Sequence, residues 1–245
     1  MTISIKTREI QYSAADGTTL IAYFAAPENV TPVAGVLVAP EWWGRNEYTE
    51  RRARELAEHG YAALAIDMYG NKHVTTTADQ AQTWMMETFA RPETIVIRAQ
   101  AALETLAAQD EVDAERLAGI GFCYGGKVML DLARSGANLK AVATFHAILA
   151  TQHAAEKNKI QAEILVLHGE SDSMVSLADV EDFKTEMANA DVNHHVVILK
   201  DAKHGFSNPQ ADERAKANAV DLGYNAEAEQ TSINAMYDLL KRTLN

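Results

Sequence analysis

Cysteine is nearly absent from the chain: Cys123 is the single one among 245 residues, so no intramolecular disulfide can form. One thiol cannot build a thiolate cage, and no spacing of histidine and acidic residues resembles a zinc site, so no metal is expected. Positive charge is scarce too. The 22 lysines and arginines face 34 aspartates and glutamates, a formal net charge of −12. That balance leaves no basic patch for nucleic acid or an anionic membrane surface. Long apolar runs are missing, and nothing approaches the length of a membrane-spanning helix. The opening Met1-Thr2-Ile3-Ser4-Ile5-Lys6 is followed by no apolar h-region, so no secretory signal is expected. A lone thiol stays reduced in a reducing compartment, and the expected location is cytoplasmic. Internal repeats, low-complexity runs and heptads are absent as well.

What remains is a globular composition, 47% apolar and 23% charged. At this length it is expected to form one domain over residues 1–245. Short apolar runs alternate with amphipathic segments, the pattern of an α/β fold with a mostly parallel central sheet and helices on both faces. Strands are expected at 20–25, 34–39, 62–67, 116–121, 141–145, 163–168 and 195–199, preceded by an edge hairpin strand over 3–12 that turns at Asp16-Gly17. Helices are expected over 46–59, stopped by Gly60, and from Pro92 in a first turn, with Ile95, Ala99, Ala102, Leu103 and Leu106 inward. A third places Leu177, Val180, Lys184 and Met187 on one face with Phe183 beside it. A last one buries Ile233, Met236, Tyr237, Leu240 and Leu244. Residues 71–91 fall outside this rhythm and are expected to form a small lid or helical excursion.

The strongest local signal is Gly119-Ile120-Gly121-Phe122-Cys123-Tyr124-Gly125-Gly126. It holds G-x-C-x-G between an apolar strand and a helix, the nucleophile-elbow pattern with cysteine in the usual serine position. The glycines permit close backbone approach, the corner projects the side chain of residue 123, and the helix N-terminus favours negative charge on sulfur. A free cysteine is most often a small buried hydrophobe. Here the elbow and the uniqueness of the thiol favour a nucleophile.

An elbow of this kind is followed in chain order by an acid and then a histidine. After the strand near 163–168 comes His168-Gly169-Glu170-Ser171-Asp172. After the next strand comes Asp201-Ala202-Lys203-His204-Gly205-Phe206. Both segments lie at C-terminal strand ends, where parallel sheets place their sites. Cys123, Asp172 and His204 therefore form the expected triad, with Glu170 the rival acid and a turn or cap role the rival reading of Asp172. His194 and His195 are adjacent and point to opposite faces of a strand, so they cannot act together. His168 lies too close to Asp172 in sequence to be its partner. His146 ends a strand beside the site and is a candidate pocket residue.

These residues resemble the dienelactone hydrolase family of α/β-hydrolases. The resemblance is carried by Ala39-Pro40-Glu41-Trp42-Trp43-Gly44, by the cysteine elbow, by Gly169-Glu170-Ser171-Asp172 and by His204-Gly205-Phe206, in family order along the whole chain. It implies an α/β-hydrolase fold, Cys123 as nucleophile, His204 as base and Asp172 as the residue orienting it. It implies backbone N–H groups of Trp42 and Tyr124 as an oxyanion hole. It also implies that Glu41 meets the thiol in the resting enzyme, where a carboxylate would oppose the thiolate. The chain departs from the family where substrate is held. Members that cleave dienelactone carry an arginine four residues after the catalytic histidine, and here Asn208 stands there. A second family arginine aligns near Thr77, with no arginine close by. Arg91 and Arg98 are substitutes from another direction, Arg91 being the first pocket candidate.

The resemblance thus implies a cofactor-free hydrolase of a small ester or lactone. With Asn208 in place of an arginine, the expected preference is for neutral substrates or for substrates whose carboxylate lies elsewhere. The alternatives are a thioesterase or acyltransferase on the same fold, and a non-catalytic ligand-binding protein that retains it.

Overall fold

A computed structural model describes residues 3–28 and 31–245; Met1 and Thr2, part of the opening segment considered above for a leader, lie outside the described residues. The sheet has eight strands: β1 (Ile5–Ser13), β2 (Thr19–Pro27), β3 (Val33–Ala39), β4 (Ala62–Ala65), β5 (Val112–Phe122), β6 (Ala141–Phe145), β7 (Glu163–Gly169) and β8 (His194–Leu199). Their spatial order is β1-β2-β4-β3-β5-β6-β7-β8. β1 pairs antiparallel with β2, and β2 antiparallel with β4. Every pairing from β4 to β8 is parallel.

The alternation of side chains along these strands builds two cores. Leu37, Ala39, Val142, Ile164 and Val166 face α3 (Glu93–Ala107), α4 (Tyr124–Arg134) and α5 (Leu177–Asn189). Val36, Val38, Ile120, Phe122, Phe145 and Leu167 face α1 (Glu47–Glu58) and α7 (Ala226–Leu244). A strand covered on both faces must be apolar throughout, which is why β3, β6 and β7 stand out in the sequence. α1 starts where Asn46 Oδ1 accepts from the N–H groups of Tyr48 and Thr49, at 3.1 and 3.3 Å.

Several boundaries differ from the sequence expectation for local reasons. β1 begins at Ile5 rather than residue 3, and β5 begins at Val112 rather than 116, with a register shift opposite Ala34 and Gly35. Pro92 caps α3 instead of lying in its first turn. Residues 71–91 contain α2 (Ala78–Phe89). α6 (Ala211–Asn218) was not expected: Ala211 is its one buried residue, so it carries no apolar periodicity. In α5, Val180, Phe183 and Met187 are buried but Leu177 is 46% exposed. In α7, Leu239 joins Met236, Leu240 and Leu244 in the core, while Ile233 and Tyr237 are half-buried. Among the described residues no helix is long and apolar enough to cross a membrane.

The two positions predict opposite outcomes. Leu240→Ala, at a fully buried site, should destabilise the protein by about 2–5 kcal/mol in urea unfolding. Leu177→Ala should change it by no more than about 0.5 kcal/mol.

Candidate active site

At the end of β5 the chain turns sharply through Cys123, at φ 52° and ψ −115°, and enters α4 at Tyr124. A non-glycine residue with such a φ costs on the order of 1–3 kcal/mol and persists only where its surroundings enforce it. The enforcement is visible. Cys123 N–H donates to Phe145 O at 3.0 Å, and Cys123 O accepts from Gly126 N–H at 3.0 Å. A Cβ added to Gly125 would sit 2.3 Å from Ala39 O, so the first turn of α4 lies directly against the end of β3. Tyr124 is the first residue of α4, and its N–H has no acceptor within the helix.

The loops after β7 and β8 are stitched together. Glu170 N–H donates to Leu199 O and Ser171 N–H to Ala202 O, both at 2.9 Å. A Cβ on Gly169 would lie 2.4 Å from Ala202 O, so only glycine permits this approach. The stitching brings His204 Nδ1 to 2.8 Å from Asp172 Oδ2. Asp172 Oδ1 accepts from Met174 and Val175 N–H at 2.9 and 3.0 Å. Burial works against its charge, but the His204 contact and these N–H groups outweigh it and hold the carboxyl below its ordinary range. Glu170 points elsewhere; it is exposed and its Oε2 accepts from Asp201 N–H at 3.2 Å.

His204 is buried, and Nε2 has no partner of hydrogen-bond geometry among the described residues. Burial disfavours the imidazolium, yet the negative charge of the Cys123 sulfur and then the Asp172 carboxylate push the ring up to about 10. The sulfur and the ring thus belong to one electrostatic unit.

Behind the ring lies a second layer, in which His146 meets residues that no local pattern announced. His146 Nε2 meets Ser207 Oγ at 2.9 Å, and Tyr48 Oη meets the same oxygen at 2.8 Å. Arg52 Nη2 donates to Ser207 O at 2.9 Å. His146 packs its ring against His204 with centroids 5.1 Å apart. It is fully buried, and burial together with the His204 charge holds its pKa well below the ordinary value. His146 is therefore a wall behind His204 and not a pocket surface.

The segment after β3 packs against the histidine loop. Glu41 Oε2 accepts from Asn208 Nδ2 at 2.7 Å, and its carboxylate makes no hydrogen bond to sulfur among the described residues. Burial raises the Glu41 pKa, opposed by the Arg214 charge, the Asn208 bond and His204. Asn208 is itself buried, and its Oδ1 accepts from Gln210 N–H at 2.9 Å. One donor of that amide is taken by Glu41 and its oxygen by Gln210. Arg214 lies over the Trp43 ring at 4.7 Å. Trp42 O accepts from Tyr69 Oη at 3.0 Å, and the Tyr69 ring stacks on Tyr124 at 5.7 Å. Tyr69 thereby ties the two segments that carry the candidate oxyanion donors. Arg91 is exposed and lines a small cavity of about 70 Å³ with Tyr69 and Trp84. Arg98 is committed to Asp16, Met68 O and Thr18. No local pattern announced Tyr69, Ser207 or Arg214, because each meets its partner through space. Among the described residues no group of three or more histidine, cysteine or acidic side chains is placed to hold a metal ion.

Residues 20–244 match the profile of the Dienelactone hydrolase family. The crystal structure of a dienelactone hydrolase-like promiscuous phosphotriesterase, P91 from metagenomic libraries, superposes with a TM-score of 0.91 at 35% identity, covering 99% of this chain and all of that one. A structure called m3DLH superposes with a TM-score of 0.93 at 36% identity, covering 98% of this chain and 99% of that one. A Synechocystis protein named "Putative carboxymethylenebutenolidase" is 26% identical, covering 89% of this chain and 92% of its own length. The mostly parallel sheet with helices on both faces is an α/β-hydrolase fold.

Two predictions follow from the geometry. Gly125→Ala should destabilise the protein by about 1–3 kcal/mol or prevent folding, since the added Cβ meets backbone; urea unfolding reads this. His204, with its pKa raised to about 10, should keep its proton at pH 8 and lose it only as the pH nears that value. Nitrogen chemical shifts of the imidazole should show both ring nitrogens protonated at pH 8, and Asp172→Asn should shift the titration downward. A neutral ring at pH 7 in the wild type would contradict this electrostatic account.

Proposed function

The chain belongs to the dienelactone hydrolase family, and from that premise we propose that it hydrolyses a neutral carboxylic ester or lactone through an acyl-thioester on Cys123. The observation that carries the reading is the 2.8 Å contact between His204 Nδ1 and Asp172 Oδ2 beside a sulfur at an elbow. Asp172 orients the ring and stabilises its charge. The Cys123 thiolate attacks the substrate carbonyl, and the oxyanion is received by the N–H groups of Tyr124 and Trp42. The imidazolium gives its proton to the departing alkoxide, the carbon–oxygen bond breaks, and the acyl group stays on sulfur. Neutral His204 then takes a proton from water as it attacks the thioester, and the collapse releases acid and restores the thiolate–imidazolium pair. No step calls for a cofactor.

The neutrality of the substrate rests on charge. Asn208 is engaged at both ends of its amide, and Glu41 lies on the same side of the site. The formal charge of −12 adds long-range repulsion toward anions. A second reading is hydrolysis of neutral phosphotriesters, favoured by the 35% identity to the promiscuous phosphotriesterase over nearly the whole chain. A thioesterase or acyltransferase role is the remaining catalytic alternative, and a non-catalytic ligand-binding role would show as labelling of Cys123 without turnover.

Matched panels of neutral and carboxylate-bearing lactones, aryl esters, acyl thioesters and phosphotriesters decide among these. The proposed reading expects the neutral lactone or ester to have the highest kcat/KM, with its advantage over the anionic analogue shrinking as salt is raised. Cys123→Ala should lower the rate by up to about 10⁶-fold while leaving the protein folded, and His204→Ala nearly as much. Asp172→Asn should cost less, on the order of 10⁴-fold. A folded Cys123→Ala protein working at wild-type speed would end the proposal, and normal activity in Asp172→Asn with loss in Glu170→Gln would reassign the acid.

A further inference from the structure

Two N–H groups that receive an oxyanion must be free of other acceptors and fixed relative to each other. Those of Trp42 and Tyr124 donate to no acceptor among the described residues. They belong to different segments that touch. A Cβ added to Gly125 would lie 2.3 Å from Ala39 O and 2.5 Å from Pro40 O, so the start of α4 abuts the chain just before Trp42. What fixes the Trp42 side is the loop after β4.

Residues 41–44 form a turn whose three successive carbonyls are all held. Glu41 O accepts from Gly44 N–H at 3.2 Å, Trp42 O from Tyr69 Oη at 3.0 Å, and Trp43 O from Thr75 N–H at 3.0 Å. In a trans peptide the N–H points opposite to the carbonyl. Holding Glu41 O therefore aims Trp42 N–H out of the turn, and holding Trp42 O stops the central peptide from flipping. Two of these bonds are backbone to backbone; the third depends on one phenolic oxygen. That oxygen is placed by Asp67, which is 1% exposed. Asp67 Oδ1 accepts from Tyr69 and Gly70 N–H, both at 3.0 Å, and its Oδ2 from Lys72 N–H at 2.7 Å. The Tyr69 ring lies nearly parallel to that of Tyr124, with an interplanar angle of 16° and centroids 5.7 Å apart. Trp84 of α2 leans on its other neighbours at 5.4 Å from the Tyr69 centroid.

We propose that Tyr69 is a positioning residue for the oxyanion hole: its hydroxyl holds the turn that carries Trp42 N–H, its ring bears on the residue that carries Tyr124 N–H, and one side chain thus sets the two donors against each other. This rests on the reading of Cys123 as the nucleophile with those two donors. Tyr69 touches no reacting atom and exchanges no proton in turnover. Its contribution falls where the carbonyl oxygen gains charge, as sulfur bonds to carbon and the carbon–oxygen π bond opens. A reaction at the same sulfur that builds no oxyanion does not draw on it.

Tyr69→Phe removes one oxygen and keeps the ring. On a neutral aryl ester it should lower kcat about tenfold, a fraction of the ~10²-fold or more that losing a donor outright costs. KM should stay within about twofold of wild type, because the loss falls in the transition state. Iodoacetamide alkylates Cys123, the only cysteine, by displacing iodide at a saturated carbon, with no oxyanion. That rate, read by intact mass at pH 7, should stay within about twofold of wild type, since it follows the thiolate and not the hole. Wild-type kcat in folded Tyr69→Phe would overturn the proposal. Alkylation slowed in step with hydrolysis would do so too, because it would assign the loss to a displaced elbow. Should Tyr69→Phe fail to fold in a thermal melt, Tyr69→Met, which fills the space flexibly and also lacks a donor, is read by the same two assays with the same expected split. Cys123→Ala run alongside keeps the two claims apart. Full hydrolysis there refutes the nucleophile and this inference with it, whereas an inactive Cys123→Ala beside a fully active Tyr69→Phe refutes the role of Tyr69 alone.

Discussion

Cys123 sits where an L-residue is sterically unwelcome, at φ 52° between the end of a strand and the start of a helix. Nothing in its own chemistry keeps it there. It is kept there by β6, whose Phe145 carbonyl takes its N–H, and by β3, whose last carbonyl lies so close to Gly125 that no side chain fits. The strain of on the order of 1–3 kcal/mol is thus carried by the two strands flanking β5. The same three strand ends supply Trp42, Tyr124 and His146. An elbow that relaxed to an ordinary turn would move the sulfur, the first N–H of α4 and the wall behind His204 together.

Around that corner the charges are arranged in layers. Asp172 is held as a carboxylate by two backbone N–H groups and by His204. The His204 pKa is raised against the cost of burial because the Cys123 sulfur and the Asp172 carboxylate both favour the charged ring. His146, pressed against the same ring, stays neutral, because a second imidazolium beside the first in a buried space would be opposed both by burial and by repulsion. Ser207 Oγ meets its Nε2 from the far side, and Tyr48 and Arg52 of α1 hold Ser207. The histidine loop is therefore anchored from a helix more than 150 residues earlier, by a buried arginine on α1 that also pairs with Glu55 in its own helix.

The fold was legible because strands buried on both faces leave continuous apolar runs, and those runs located β2 through β8 within a few residues. The elbow was legible because its whole geometry is local: two glycines and a cysteine within five positions. Asp172 and His204 were legible by chain order at strand ends, and they meet through loops whose stitching is backbone to backbone. What escaped the sequence shares one physical character. α6 buries a single residue and so leaves no periodic trace. The Glu41 carboxylate finds Asn208, a partner far away in the chain that no local pattern could name. His146 looked like a pocket residue because it ends a strand beside the site; its complete burial became apparent only with Phe206 and His204 packed on it.

The central claim is that carbonyl carbon becomes bonded to the Cys123 sulfur during turnover. Acid quenching of a slowly hydrolysed aryl ester within the first turnover, followed by intact and peptide mass spectrometry, looks for that bond directly. The account predicts a protein heavier by one acyl group, with the label on the elbow peptide containing Cys123, and accumulation increased in His204→Ala only if that variant still acylates. Release of the aryl alcohol with an unlabelled protein, or a label on any other residue, would contradict it.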